Sequence, residues 1–321
     1  VALPDREERI AAGAGGSLLS RLVPYQRERF PVIGIGITMA AFTFSSAAFS
    51  RLARGAPGFI PLPIYFAGTA TALVCFFILR VLDEHKDADV DRRYRPELPV
   101  PRGLVTLREL RLVGSIAVAV VVAWNALVAP ALLAPLAAIA VWMTLMTREF
   151  FVRAWLRRHA AAYLVTHMAI MPFIDFYTTG LDWWLAGRAP PRGLGLFLAV
   201  TFLNGLVVEI GRKVRAPGDE RVGVDTYTVA WGLRLAPAVW VVMLAASAGV
   251  AFAALGHVSA RPVLAFALGA VALLCVAAGV GFLVAPGTRS ARRLEVASQL
   301  WPLATYLTLG LVPFVARGFA R

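Results

Sequence analysis

Between residues 83 and 91 the chain reads Asp83-Glu84-His85-Lys86-Asp87-Ala88-Asp89-Val90-Asp91. If a helix continues through this stretch, Asp83, Asp87 and Asp91 recur every fourth residue and share one face, with Glu84 beside them. Like charges at that spacing repel one another and need a neutralising cation. Oxygen ligands on one face suit Mg²⁺, which takes one or two carboxylates and leaves its other positions to water and substrate phosphate. A solvated charged loop would carry the same spacing without any chemistry. Asp89 points the other way on such a helix and reads as solvated. The chain continues Tyr94-Arg95-Pro96-Glu97-Leu98-Pro99-Val100-Pro101-Arg102-Gly103, and its three prolines exclude helix. A rigid extended loop is expected there, with Arg95 and Arg102 able to reach an anion held by the carboxylates.

A second charged stretch begins at Glu209, followed at three and four residues by Arg212 and Lys213, and then by Arg215. After a break at Pro217-Gly218 come Asp219, Glu220 and Asp225. A helix-end salt bridge of little energetic value would account for Glu209 with its basic neighbours. Two acid-rich stretches, each interleaved with Arg and Lys, point instead to one shared site. Carboxylates would hold a metal, the metal would hold a diphosphate, and Arg and Lys would hold the remaining phosphate oxygens.

Other polar groups lie inside apolar sequence. Thr166, His167 and Asp175 fall in one such run, and an ionisable residue within a span is a functional candidate. Asp175 also lies near Tyr177, Asp182 and Trp183-Trp184, which resemble an interfacial aromatic belt. Asn125 and Asn204 can orient a substrate or hydrogen-bond between helices. Phe150, Phe151, Phe173, Phe176 and Tyr177 can pack, or shield a cation.

The elements that position these residues follow from composition. Of 321 residues, 59% are hydrophobic and 16% charged, and mean hydropathy is +0.71. Soluble domains are about 45–50% apolar, so a soluble enzyme is excluded and an all-α polytopic membrane protein is expected. A membrane helix needs about 20 apolar residues. Nine stretches qualify: 30–50, 58–82, 110–128, 131–147, 159–179, 194–212, 233–254, 262–285 and 296–317. Short connections make them a bundle of antiparallel neighbours, one membrane-embedded domain over 1–321. Residues 1–28 form an N-terminal segment, and 83–109 and 209–232 are the catalytic loops. With nine spans, 25 of the 32 Lys/Arg fall on the side of the N-terminus and both acidic loops. Positive charge stays cytoplasmic, so that side faces the cytoplasm and the C-terminus faces out. Residues 1–28 carry neither an apolar h-region nor a small-residue cleavage site, so no signal peptide is expected. Cys75 and Cys275 both lie in apolar runs, and no disulfide framework or thiolate metal site can be built from them.

Nine spans with acidic loops after spans two and six resemble the UbiA superfamily of intramembrane prenyltransferases. Residues 83–91 match that family's NDxxDxxxD motif, with Asp83 at the Asn position and Glu84 at the first Asp position. Residues 95–103 resemble its RP-x-P-x-G stretch, and Gly223, Thr226 and Gly232 fit its closing G-x-x-T…G pattern. The second motif departs, since Glu209 opens it, basic residues follow, and Asp219 comes ten residues later. The resemblance implies Mg²⁺-dependent ionisation of an isoprenyl diphosphate, in which metal and basic residues stabilise the leaving pyrophosphate. It assigns Glu84, Asp87 and Asp91 to one Mg²⁺ with Asp83 assisting, and Glu209 and Asp219, with Glu220 nearby, to a second. Lys86, Arg95, Arg102, Arg148, Arg212, Lys213 and Arg215 are diphosphate ligands; of these, Arg212 and Lys213, with Asp87 and Asp91, carry catalysis. Asn204, His167 and Phe173 are candidates to contact prenyl chain or acceptor.

Transfer of the prenyl group to an aromatic or other lipophilic acceptor is the first expectation. A membrane terpene cyclase, which ionises the same diphosphate without an acceptor, is the alternative from the same superfamily. A cation-coupled transporter would place acids at the membrane midplane between inverted repeats, and here the acids sit at one edge. No nucleic-acid partner is expected, because the basic residues are spread along loops. High alanine, arginine and glycine usage suggests a prokaryotic plasma membrane.

Overall fold

The computed structural model describes residues 16–259 and 261–318. Every regular element among them is helical. The elements are α1 (Leu18–Arg29), α2 (Val32–Ala53), α3 (Leu62–Lys86), α4 (Ala88–Tyr94), α5 (Leu107–Val128), α6 (Leu133–Thr147) and α7 (Arg153–Arg158). They continue as α8 (Ala160–Met168), α9 (Ile170–Gly180), α10 (Leu194–Arg212), α11 (Tyr227–Leu255), α12 (Pro262–Val284), α13 (Thr288–Tyr306) and α14 (Val312–Gly318). Nine helical segments among the described residues are long and apolar enough to cross a membrane. Three of them are composite: a 3₁₀ turn at Pro130–Leu132 with α6, α8 with α9, and α13 with α14 through a π-helical Leu307–Leu311. The protein is an integral membrane helical bundle.

The expected span count is found, and the bounds shift where polar residues extend a helix. The Thr226 hydroxyl accepts the Val229 N–H at 3.2 Å, so α11 starts at Tyr227 rather than at 233. Gly232, at φ 89, then kinks it. Ser290 accepts the Gly287 N–H at 3.0 Å, so α13 starts at Thr288 rather than at 296. Most of α1 lies within the N-terminal segment. That helix is capped by Ser17 and anchored by buried Tyr25.

The apolar core has two main parts. One joins α10–α13 around Trp240, Trp301, Phe197 and Phe282; the other joins α2, α3, α6 and α9 around Met39, Ile139, Ile174 and Tyr177. Hydrogen bonds between spans fix register inside them. Trp240 Nε1 donates to the Val207 carbonyl at 2.9 Å and to Ser298 Oγ at 2.9 Å. Asn125 donates to Thr71 at 2.8 Å and accepts from Tyr177 at 2.6 Å. In the π-helical turn, Gly310 lies directly on the Ser45 backbone, leaving no room for a Cβ. The first and ninth spans thus meet backbone to backbone.

Away from the acidic loops, at the opposite end, Asp182 is fully buried. It accepts from Ser50 at 2.6 Å and pairs with Arg51 at 3.0 Å and Arg54 at 2.9 Å. Asp175 does not join the belt of Trp183 and Trp184. It turns into the core, accepting from Tyr306 at 2.5 Å and Ser46 at 3.0 Å.

Candidate active site at the acidic end

The helix continues almost unbroken through the first acidic loop. Asp87 N donates to the Asp83 carbonyl at 2.9 Å and Asp91 N to the Asp87 carbonyl at 2.8 Å, so these acids rise along one side as their spacing requires. Their surroundings differ. Asp83 is 54% exposed, its nearest cation being Arg80 at 3.8 Å. It lies within charge–charge reach of Asp87, Arg212 and Glu209. Asp87 is half-buried and has no ion pair among the described residues. Glu84 is turned away from this group. It is 1% exposed and held by Arg29 of α1 at 2.7 Å and by Arg80 at 3.5 Å. Asp91 is buried beside Arg95 at 2.7 Å, and its burial pushes the carboxyl up from the usual carboxylate range against the pull of Arg95.

In the second loop Glu209 is buried at the end of α10, between Arg212 Nε at 2.5 Å and Lys213 Nζ at 2.9 Å. The Lys213 ammonium also lies 5.8 Å from the Tyr227 ring centroid. Glu220 braces the loop, accepting from the Thr226 hydroxyl at 2.9 Å and the Thr228 hydroxyl at 2.5 Å. Asp219 and Asp225 are exposed. The two loops touch: Gly223, at φ +77, lies against the Tyr94 ring with no room for a Cβ, and Arg221 reaches Glu97 at 3.7 Å.

A third contribution joins Lys86 and His167, both expected from the sequence, to Glu149 and Tyr163, which were not. Lys86 donates to the Tyr163 hydroxyl at 2.8 Å and pairs with Glu149 at 3.1 Å. Glu149 is buried and also meets Arg153 at 3.1 Å. It opens a run of three non-glycine residues in the left-handed region, Glu149 at φ 48, Phe150 at φ 52 and Phe151 at φ 60. Each such residue costs on the order of 1–3 kcal/mol, so the surrounding contacts hold this turn against its own preference. One signal was available: Glu149 is the only acid between Glu109 and Asp175. Tyr163 stacks on His167 with ring centroids 3.8 Å apart, and His167 lies within charge–charge reach of Lys86, Glu149 and Glu209.

Several sequence candidates stand apart from this cluster. Arg102 is tied to Glu28 of α1 at 2.7 Å, and its hydrogen bonds hold the Glu28 carboxyl below the usual range. Arg215 points to Glu295 on α13 at 3.4 Å. Asn204 is consumed by an interhelical network, donating to Thr305 at 2.8 Å and accepting from Ser247 at 2.9 Å. Phe173 stacks on Trp142 at 5.0 Å. Arg148 is exposed and ends a lateral groove of about 370 Å³ between α3, α5 and α6, walled by Ile78, Val121, Ile139, Ala140 and other aliphatic residues.

Mg²⁺ belongs to the expected chemistry, so the donors matter. Among the described residues no three Asp, Glu, His or Cys side chains converge into a preformed cage. Asp83 and Asp87 are hard oxygen donors with no closely bound cation, and such a pair fits an ion completed by water and substrate phosphate. Glu209 has an oxygen turned to each of two cations and Asp219 faces solvent, so the pair expected to hold a second ion is disposed differently.

No protein-family model matches this chain, and no curated protein matches it significantly. Its architecture is similar to a solved structure described as digeranylgeranylglyceryl phosphate synthase in membranes, with a TM-score of 0.61 and 12% identity, covering 90% of this chain and 97% of that one. At that identity the likeness is one of fold.

Proposed function

We propose that this protein is a membrane enzyme that ionises an isoprenyl diphosphate and transfers the prenyl group to a lipophilic acceptor. One observation carries the reading: at one end of the bundle Asp83, beside Asp87, lies within charge–charge reach of Glu209 and Arg212 from the second acidic stretch, where Lys213 is also paired to Glu209. The match of residues 83–91 to the UbiA motif supports it. So does the shared fold, since the similar structure is named for a product bearing geranylgeranyl chains.

Asp83 and Asp87 would hold Mg²⁺, which supplies Lewis-acid stabilisation of the departing pyrophosphate. Arg212 and Lys213, parked on Glu209, are poised to take phosphate oxygens with charge-assisted hydrogen bonds. Lys86 is fixed between Glu149 and Tyr163 and adds positive charge beside them. Apolar walls further into the membrane would keep water from an allylic cation. The charge bias supports a cytoplasmic position for this end.

The lateral groove favours transfer over cyclisation, because its aliphatic walls open between helices and give a chain access from the membrane. The core cavity beside Asp175, lined by Phe42, Phe76 and Tyr306, measures about 10 Å³, room for about one water. The test is pyrophosphate release by purified protein in detergent from geranyl, farnesyl and geranylgeranyl diphosphate, with and without Mg²⁺ and acceptors. Mg²⁺-dependent release that produces prenylated acceptor supports the reading. Cyclic hydrocarbon formed without acceptor would replace it with the cyclase, and no release at all would end both.

A further inference from the structure

Of the four histidines, His85, His159, His167 and His257, His167 alone is buried, at 8% exposure. Its two nitrogens are in different situations. Nδ1 lies 2.9 Å from the Tyr163 carbonyl, a group that can only accept, so Nδ1 carries the proton and Nε2 keeps a lone pair. Nε2 is buried and has no hydrogen-bond partner among the described residues. Such an atom is costly to maintain without a role or a ligand.

The ring is held beside the Lys86–Glu149 pair, near the end of α10. Tyr163 covers one face, with an interplanar angle of 18°, and Phe150 approaches at 6.2 Å. The charged groups that reach it are Lys86 from α3, Glu149 from the strained turn after α6 and Glu209 from α10. Lys86 is already engaged by Glu149 and the Tyr163 hydroxyl. The fixed tautomer therefore offers a neutral, unpartnered acceptor buried beside one engaged ammonium and two carboxylates.

Resting on the prenyl-transfer reading above, we propose that His167 Nε2 is the base of the transfer step. The allylic C1–O bond breaks and pyrophosphate leaves with the bonding pair; C1 bonds to the nucleophilic atom of the acceptor, and the proton that atom carried passes to Nε2. General-base assistance of this kind contributes about 10²–10⁴-fold.

The test compares wild type with His167→Gln, which keeps a polar atom near the Nε2 position but takes up no proton, using farnesyl and geranylgeranyl diphosphate with Mg²⁺. An alkylphenol, a naphthol and a total lipid extract serve as acceptors, and binding is read with farnesyl thiodiphosphate. H167Q should still bind the analogue, while transfer falls by about 10²–10⁴-fold and the pyrophosphate it still releases is matched by acceptor-free products rather than by prenylated acceptor. The wild-type transfer rate should rise with pH as an imidazole loses its proton, and H167Q should lack that limb. Imidazole should restore transfer to His167→Gly. With no acceptor, an allylic cation ends by proton loss to a polyene or by water capture to an alcohol, and H167Q should lower the polyene share. Unchanged transfer and an unchanged polyene share in H167Q overturn the inference. So does loss of pyrophosphate release together with transfer in H167Q, with no imidazole rescue of His167→Gly, because that marks a structural role. A wild type that releases no pyrophosphate from any of these substrates brings down the ionisation reading beneath it.

Discussion

The two ends of the bundle both bury carboxylates, and they treat them differently. At the end away from the acidic loops, Asp182 is saturated by Ser50, Arg51 and Arg54, and it forms a closed clamp between the end of α2 and the turn after α9. At the acidic end the groups are less evenly served. Four buried polar atoms there, on Tyr25, His85, Arg95 and His167, have neither a hydrogen-bond nor an ion-pair partner among the described residues. Asp87 has no ion pair among those residues, and Asp83 meets only Arg80, at 3.8 Å. Burial alone therefore does not mark a site in this protein. A satisfied buried acid joins helices, whereas a set of partly satisfied charges at one place is arranged for something that binds.

That contrast yields substitutions with opposite readouts. Asp182→Ala should leave Arg51 and Arg54 without their partner and cost about 3–5 kcal/mol of stability, seen as a large fall in thermal unfolding temperature in detergent. If the unfolding temperature stays at the wild-type value, the clamp is not structural. Asp87→Asn should do the reverse, lowering Mg²⁺-dependent pyrophosphate release by about 10²–10³-fold while the melting curve stays in place. If stability falls instead of activity, the two ends are alike after all. Gly223→Ala sharpens the acidic end further. Its Cβ would collide with Tyr94 in a backbone conformation that disfavours alanine, so the loops should separate and turnover should drop about tenfold or more, with helix content by circular dichroism preserved.

Smaller effects test the periphery. Ala140→Trp fills the lateral groove and should raise KM for the long-chain substrate several-fold with kcat little changed, the mark of lost uniform binding. Glu28→Gln should matter least. Because Arg102 lowers the Glu28 carboxyl, that pair stabilises above the ordinary glutamate range and loses its contribution as pH falls through the lowered value. For an exposed pair the effect is under about 1 kcal/mol, so wild type and E28Q should differ slightly in melting temperature at neutral pH and converge in acid.

The spans were legible because each is a continuous apolar run, and both acidic loops were legible because acids are rare in the chain. The partners of those acids were not. Periodicity places Glu84 beside Asp87, but Arg29 on α1 turns Glu84 aside, and α1 itself was hidden by a sequence with no apolar run. Asn204 reads as a site residue in isolation; Ser247 and Thr305, more than 40 residues away in sequence, make it a tie between helices. The turn at Glu149–Phe151 breaks local backbone preference in residues with no glycine among them, so propensity could not announce it. What was missed is tertiary: which charge meets which, and where the chain is held against its preference.

The contact of Gly310 with the Ser45 backbone also bears on traffic. Where two helices meet main chain to main chain, there is no layer of flexible side chains that can swing aside, so the wall between the first and ninth spans behaves as a weld. A long-chain molecule coming from the surrounding bilayer would find that flank shut. The helices part instead around the aliphatic side chains of α3, α5 and α6, so the bundle has one seam that is welded and another that is open.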